Sequence, residues 1–133
     1  MRSARTVARP IPQDTRSPAA QRTLTRAVLN AAELLAVPQA ELATILGVSA
    51  ATVSRMASDR YLLQPDRKEW QLAVLFVRLF RSLDSITGGR DELSRAWLRG
   101  HNHALASVPA TLLGDIESFV RVIHYLDASR AAV

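Results

Sequence analysis

Cysteine is absent from the 133 residues, which excludes disulfides, thiolate chemistry and cysteine-based zinc sites. The absence is typical of proteins that work in a reducing cytoplasm. Aromatic residues make up only 5% of the chain, and runs of β-branched residues, which would favour strands, are missing. No segment approaches the ~20 apolar residues that span a bilayer, and no apolar run follows the N-terminal arginines as in a secretory signal. The abundant alanine, leucine and arginine instead favour an all-α fold.

The charge is unevenly distributed along the chain. The formal net charge is +5, and all of it comes from the first 30 residues, because the acidic and basic residues after them balance. Those 30 residues contain one acid, Asp14, and six arginines: Arg2, Arg5, Arg9, Arg16, Arg22 and Arg26. A basic segment on a neutral body indicates a polyanionic partner, although a solvated leader that only aids solubility would look the same. We expect residues 1–16 to be a disordered basic arm.

Helical periods and capping residues predict most of the secondary structure. Ser17 is the expected N-cap of a first helix, with Pro18 at its first position. That helix should end near Val37, because Pro38 disfavours helix at the preceding residue. The other expected elements are Gln39–Leu46, Ala50 to about Ser58, a long helix ending near Thr87, Asp91–Arg99, one turn at 109–113, and a last helix after Asp115. In the helix that starts at Ala50, the residues expected to face inward are Val53, Met56 and Ala57.

The long helix and the last helix each have a predicted apolar face. Asp66 and Glu69 resemble a capping box at the start of the long helix. The long helix has two apolar stripes, so it should be buried on two sides of the body or also against a second copy. One stripe is Trp70, Ala73, Val74, Val77 and Phe80. The other is Leu72, Leu75, Phe76, Leu79 and Leu83. In the last helix the expected inward residues are Ile116, Phe119, Val120, Ile123 and Leu126, and the expected tail is 130–133. A boundary near residue 64 divides a unit at 17–64 from a unit at 65–133.

The segment Glu41–Met56 has the pattern of a helix-turn-helix. Ala43 is small where two helices must approach, and Gly47 permits the left-handed turn between them. Val48 is expected under the turn, and Ser49 caps the second helix, which reads base edges in this motif. The expected DNA-facing residues are Ser49, Ala50, Ala51, Thr52, Ser54, Arg55, Ser58 and Arg60, with Arg67 as a further backbone contact. A helical hairpin of the same shape without DNA function is the alternative.

The sequence contains few residues that indicate a metal site or a catalytic site. His101, His103 and His124 are the only histidines, and a metal site usually needs three or four ligands, often with cysteine or carboxylate. No nucleophile–base ordering, phosphate loop or paired carboxylates are present. We therefore expect no enzyme activity, no metal and no cofactor.

The second half of the chain resembles the toxin-binding domain of Xre/MbcA/ParS-type antitoxins. The similar residues are Trp97-Leu98, Asn102, Leu105, Pro109, Leu112-Leu113 and the final amphipathic helix. In that family an Xre-like helix-turn-helix precedes this domain, as it does here. The family often has Pro-Asn where this chain has His101-Asn102, and Gly-Gly where it has Ala106-Ser107.

The resemblance implies a type II antitoxin whose partner is a RES-domain toxin that consumes NAD. It further implies a homodimer that represses its own operon and a C-terminal end that enters the NAD cleft of the toxin. The implied toxin-binding residues are Trp97, Asn102, Arg130, Ala131, Ala132 and Val133. Two alternatives remain open, namely a stand-alone regulator whose second half dimerises or senses a ligand, and an interaction module whose helix-turn-helix no longer binds DNA.

Overall fold

The computed structural model describes residues 17–132, so the arm predicted at 1–16 and the last residue, Val133, lie outside it. Across the described range the chain forms six α-helices and one 3-10 turn, which confirms the all-α prediction. The only strand-like pairing in that range is an isolated antiparallel bridge between Asn102 and Ser107. The elements are α1 (Pro18–Leu34), α2 (Gln39–Leu46), α3 (Ala50–Ala57), α4 (Lys68–Thr87), α5 (Asp91–Arg99), the turn Pro109–Leu112 and α6 (Ile116–Ala132).

Helix α1 begins as predicted and ends earlier than predicted. The Ser17 side chain accepts a hydrogen bond from the Ala20 N–H, which confirms the N-cap. The helix ends at Leu34 rather than near Val37, because Ala36 takes a left-handed conformation at φ 56°. The Val37 N–H then donates to the Ala32 carbonyl at 2.8 Å. This bond closes the helix in the manner of a Schellman motif before Pro38 has any influence.

The predicted capping box at the start of α4 is wrong. The helix begins at Lys68, and its N-cap is Arg67, which makes no side-chain capping bond. Glu69 turns inward instead and is only 6% exposed. Its carboxylate accepts hydrogen bonds from the Tyr61 hydroxyl at 2.6 Å and from the Gln64 N–H at 2.8 Å. Glu69 therefore fixes the connector that precedes α4 rather than the first turn of the helix.

Helix α4 is the central element of the core. Ala73, Phe76, Leu79 and Leu83 are completely buried, and the helix packs most extensively against α1 and α6. The buried apolar residues from Val28 to Leu126 form one cluster that includes side chains from both predicted units. The division at residue 64 remains a prediction, since the buried apolar residues of the two units belong to a single core.

Several residues expected to face inward lie at the surface. Ile116 is 52% exposed and Ala57 is also exposed, so these two predictions are wrong. Val74 is 45% exposed in the single chain, and its burial against a second copy remains a prediction. Val122 of α6, which was not predicted to face inward, is completely buried. Phe119, Ile123 and Leu126 are buried as expected, and Val120 is half-buried.

The last helix is longer than the sequence predicted. Asp115 caps it by accepting a hydrogen bond from the Ser118 N–H at 3.1 Å, as expected. Residues 130–132, predicted to be part of a free tail, instead lie in its last turn. The Arg130 guanidinium donates to the hydroxyl of Ser82 on α4 at 3.3 Å, and this anchors the turn to the central helix.

Thr25 links α1 to the connector after α3 and provides a test of the fold. Its hydroxyl is buried and accepts a hydrogen bond from the completely buried Leu63 N–H at 3.0 Å. Thr25→Val leaves that N–H without a partner and should lower the free energy of unfolding by about 1–3 kcal/mol in urea titrations. Thr23→Val is the matched control, because the exposed Thr23 hydroxyl bonds only to its own helix. Equal stability of the two variants would contradict this account of the connector.

Candidate functional site

The bend between α2 and α3 is built by Gly47 and Ser49. Gly47 ends α2 in the left-handed conformation at φ 71°, a region that side chains resist. The Val48 N–H donates back to the Ala43 carbonyl at 3.0 Å. Ser49 then caps α3 by accepting from the Thr52 N–H at 3.0 Å. The two short helices and their tight turn are the helix-turn-helix that the sequence predicts.

Helix α3 presents the predicted DNA-facing residues on one surface. Val53 and Met56 are buried and pack α3 onto the core, and Val48 is half-buried against it. The surface on the opposite side is made of the half-buried Thr52 and the exposed Ser49, Ala50, Ala51, Ser54, Arg55, Ser58 and Arg60. The small side chains at the start of α3 permit close approach to a groove, as direct base readout requires. Their contact with DNA remains a prediction.

Hydrogen bonds orient the polar side chains on this surface. The Ser49 and Thr52 hydroxyls lie 2.9 Å apart, and Arg55 donates to the Thr52 hydroxyl at 3.2 Å. Arg60 likewise donates to the Ser58 hydroxyl at 3.2 Å. Each guanidinium has five N–H donors, so most of the donors on both arginines stay available for base edges or phosphate oxygens. Two exposed forked cations thus lie on α3 and on the connector directly after it.

The connector after α3 is held rigidly by contacts that the sequence analysis missed. Tyr61 donates to Glu69, and the Leu63 carbonyl accepts from the Gln21 side chain at 3.2 Å. Burial, and after it the hydrogen bond to Glu69, raises the pKa of Tyr61 to about 12. The phenol therefore stays protonated and acts as a donor at neutral pH. No local signal identifies this network, because Gln21 lies 42 residues from its partner.

Helix α5 attaches the second half of the chain to the helix-turn-helix. Arg99 makes a two-pronged ion pair with Glu41 of α2, at 2.8 and 2.5 Å. Arg95, one turn earlier on the same face, donates to the Leu34 carbonyl at the end of α1 at 2.8 Å. Both arginines were unassigned in the sequence analysis. They fix α5 across the ends of α1 and α2.

Trp97 and Asn102, two of the predicted toxin-binding residues, belong to different parts of the C-terminal half. The half-buried Trp97 ring stacks on Tyr125 of α6, with 6.3 Å between centroids and 20° between planes. Asn102 lies in the loop after α5, where its side-chain oxygen accepts from the Leu105 N–H at 3.0 Å. Asn102 therefore shapes its own loop, whereas Trp97 contributes a partly exposed aromatic face.

The remaining predicted toxin-binding residues lie at the end of α6. Arg130 and Ala131 are exposed, Ala132 is the last helical residue, and Val133 is outside the described range. The Arg130 side chain bonds to Ser82, as described above, and an ion pair between Arg78 and Asp127 holds the preceding turn against α4. Any C-terminal insertion into a partner thus starts from an anchored helix end.

The histidines make no metal site in the described part of the chain. His101 and His103 meet edge to face, with ring centroids 5.3 Å apart. Between residues 17 and 132 no three His, Asp or Glu side chains come together in a group that holds a metal ion. Within the same range, none of the helices combines the length and the apolar character that a membrane crossing demands.

Two family models match the chain in consecutive regions. Residues 14–78 match the antitoxin Xre-like helix-turn-helix domain. Residues 82–131 match the antitoxin Xre/MbcA/ParS C-terminal toxin-binding domain. Comparison with curated proteins finds no match. Helix α4 runs through the junction between the two matched regions.

Ala106 occupies a backbone conformation that favours glycine and gives a test of the loop. Its φ is 55°, in the left-handed region, which costs a residue with a side chain roughly 1–2 kcal/mol. Ala106→Gly should therefore raise the free energy of unfolding by about 0.5–1 kcal/mol, after the entropic cost of glycine is subtracted. Ala104→Gly is the control, because Ala104 is exposed without a positive φ and should gain nothing. A loss of stability in Ala106→Gly would contradict the loop conformation.

Proposed function

Because the chain belongs to the antitoxins that join an Xre-like helix-turn-helix to an Xre/MbcA/ParS toxin-binding domain, we propose that it neutralises a RES-domain toxin and represses its own operon. The observation that carries this proposal is the order of the two matched domains, with an outward-facing α3 in the first. Both activities are binding activities, and we propose no enzymatic one. The site of action would be the cytoplasm, where an NAD-consuming toxin finds its substrate.

Repression would depend on α3 in the major groove. Arg55 has the forked donor geometry that pairs with guanine. The Thr52 hydroxyl, itself hydrogen-bonded to the Ser49 hydroxyl, accepts from its side chain on one side. The helix N-terminus and the Ser49 cap suit a phosphate at the groove edge. A homodimer would present two such helices to half-sites one helical turn apart, as helix-turn-helix dimers do. The exposed Val74 on α4 and its half-buried neighbours Trp70 and Val77 are the surface that we assign to that dimer.

Neutralisation would use the face formed by α5, α6 and the intervening loop. Trp97 offers a rigid aromatic contact of the kind enriched at binding hot spots. The C-terminal residues would cover the NAD cleft, where the Arg130 donors that are not bonded to Ser82 can occupy polar groups that otherwise hold NAD. Since Arg130 is anchored on Ser82, residues 131–133 are the part that extends furthest into the toxin in this proposal.

Arg55→Ala tests the assignment of DNA recognition to α3. The variant should lose about 1–3 kcal/mol of discrimination between the operator and an unrelated duplex. Arg121→Ala is the matched control, because Arg121 donates to the Leu105 carbonyl in the second half of the chain. Mobility shifts at several salt concentrations measure both variants. Unchanged operator preference in Arg55→Ala would remove α3 from the account of recognition.

Co-expression with the product of the adjacent gene tests the toxin assignment. The full chain should copurify with a RES-domain protein and restore growth. Deletion of residues 130–133 should preserve the complex through the Trp97 face and restore NAD consumption by the toxin. Deletion of residues 1–16 is the control at the other end of the chain and should leave neutralisation intact. If the C-terminal deletion neutralises as well as the full chain, the tail does not block the cleft; if no complex forms, the toxin assignment is wrong.

A further inference from the structure

The arginines of the described chain divide into two groups according to what their side chains contact. In α4 to α6 and their loops, six arginines bind other parts of the protein, and Arg81 alone does not. The six are Arg78, Arg90, Arg95, Arg99, Arg121 and Arg130. Each of these six guanidinium groups is held by a contact within the protein, whereas a guanidinium without such a contact has all five N–H donors available for an external anion.

The arginines from α1 to the connector make few or no contacts with the rest of the protein. Arg55 and Arg60 reach only hydroxyl groups within five residues along the chain. Arg22, Arg26 and Arg67 have no hydrogen bond or ion pair from their side chains to other residues in the range 17–131. All five are exposed. Free guanidinium groups are therefore concentrated in the part of the chain that contains the helix-turn-helix.

Arg22 and Arg26 lie on one face of α1 beside the end of the recognition helix. They are four residues apart and therefore neighbours on the helix surface. Both line a groove of about 380 Å³ whose opposite wall includes Met56 of α3 and Asp59 and Leu62 of the connector. The groove thus continues from the exit of α3 to the surface of α1.

We propose that Arg22 and Arg26 form a second DNA-backbone site, which binds a phosphate of the strand beside the major groove that α3 enters. The proposal rests on the DNA binding proposed above and extends it to a helix outside the helix-turn-helix. A recognition helix inserted in the major groove, which is roughly 12 Å wide, brings flanking elements against the sugar-phosphate strand. Two guanidinium groups at that edge bind phosphate oxygens in charge-assisted pairs.

Asp59 modulates this site from the opposite wall. Its carboxylate has no cation within ion-pair distance among the described residues, so it repels a phosphate that enters the groove. One carboxylate against two guanidinium groups leaves a net positive charge. Asp59 has φ 61°, and asparagine tolerates that conformation well. Asp59→Asn therefore removes the charge and keeps the backbone conformation.

The test measures the affinity for operator and unrelated duplexes across salt concentrations in the full chain. Arg22→Ala with Arg26→Ala should weaken binding to both duplexes about tenfold at low salt and reduce the salt slope by about 0.9, the value for one phosphate. The ratio of the two affinities should stay constant, because backbone contacts carry no sequence information. Asp59→Asn should strengthen binding to both duplexes a few fold, which is on the order of the affinity that one phosphate contact contributes.

Arg81→Ala is the matched control, because Arg81 is also exposed and uncommitted but lies on α4. The proposal is overturned if the double variant behaves like Arg81→Ala, or if it weakens toxin capture and not DNA binding, which would make this face of α1 a protein-binding surface. Alanine favours helix at exposed positions, so thermal unfolding should show folded variants. Failure of the unmodified chain to bind any duplex would instead defeat the proposed function itself.

Discussion

The burial of helix α4 is the constraint on which the rest of the structure depends. Ala73, Phe76, Leu79 and Leu83 have no exposed surface, and a helix with so wide an apolar face needs partners on more than one side. Helix α1 supplies one partner and α6 the other. The turn of the helix-turn-helix also rests on α4, where the Leu72 side chain lies under Gly47. The helix-turn-helix and the C-terminal half are consequently attached to a single helix.

The arrangement separates two surfaces and connects them through rigid elements. The outer side of α3 and the connector after it are exposed and rich in uncommitted arginines, whereas arginines in the second half bind mainly to the protein itself. Helix α5 lies between the surfaces, with Arg95 and Arg99 fixed to α1 and α2 and with Trp97 stacked on α6. Exposed ion pairs contribute little to stability by themselves. Their contribution here is geometric, because they fix how the two halves meet.

Local signals in the sequence predicted the elements whose ends depend on neighbouring residues. Gly47 and Ser49 define the turn and the start of α3 through contacts within five residues, so the exposed side of α3 was predictable as well, except at Ala57. The end of α1 was not predicted correctly, because Ala36 takes a left-handed conformation that alanine rarely adopts and that no residue pattern indicates. The role of Glu69 was missed for another reason. Its hydrogen-bond partners, Tyr61 and Gln64, lie in the connector before α4. A capping pattern contains no information about how the chain folds before the helix begins.

In the second half of the chain, several positions could not be predicted because they depend on contacts between residues that are far apart in the sequence. Arg130 was assigned to a free tail because its partner, Ser82, lies 48 residues earlier. Ile116 was assigned to the core because the helical period alone does not say which side of a helix meets a neighbour. For the predicted toxin-binding residues the limit is different, since the proposed role depends on a second protein whose surface the chain does not encode.

The central claim is that one core presents a DNA-binding surface on α3 and a separate protein-binding surface in the second half. Amide chemical shifts of the isotopically labelled chain, followed during titration with a duplex from upstream of its own gene, test this claim most directly. The account predicts shifts concentrated in residues 49–60 and on the exposed side of α1, with residues 91–131 unaffected. Shifts concentrated in α5 and α6, with α3 unchanged, would contradict it.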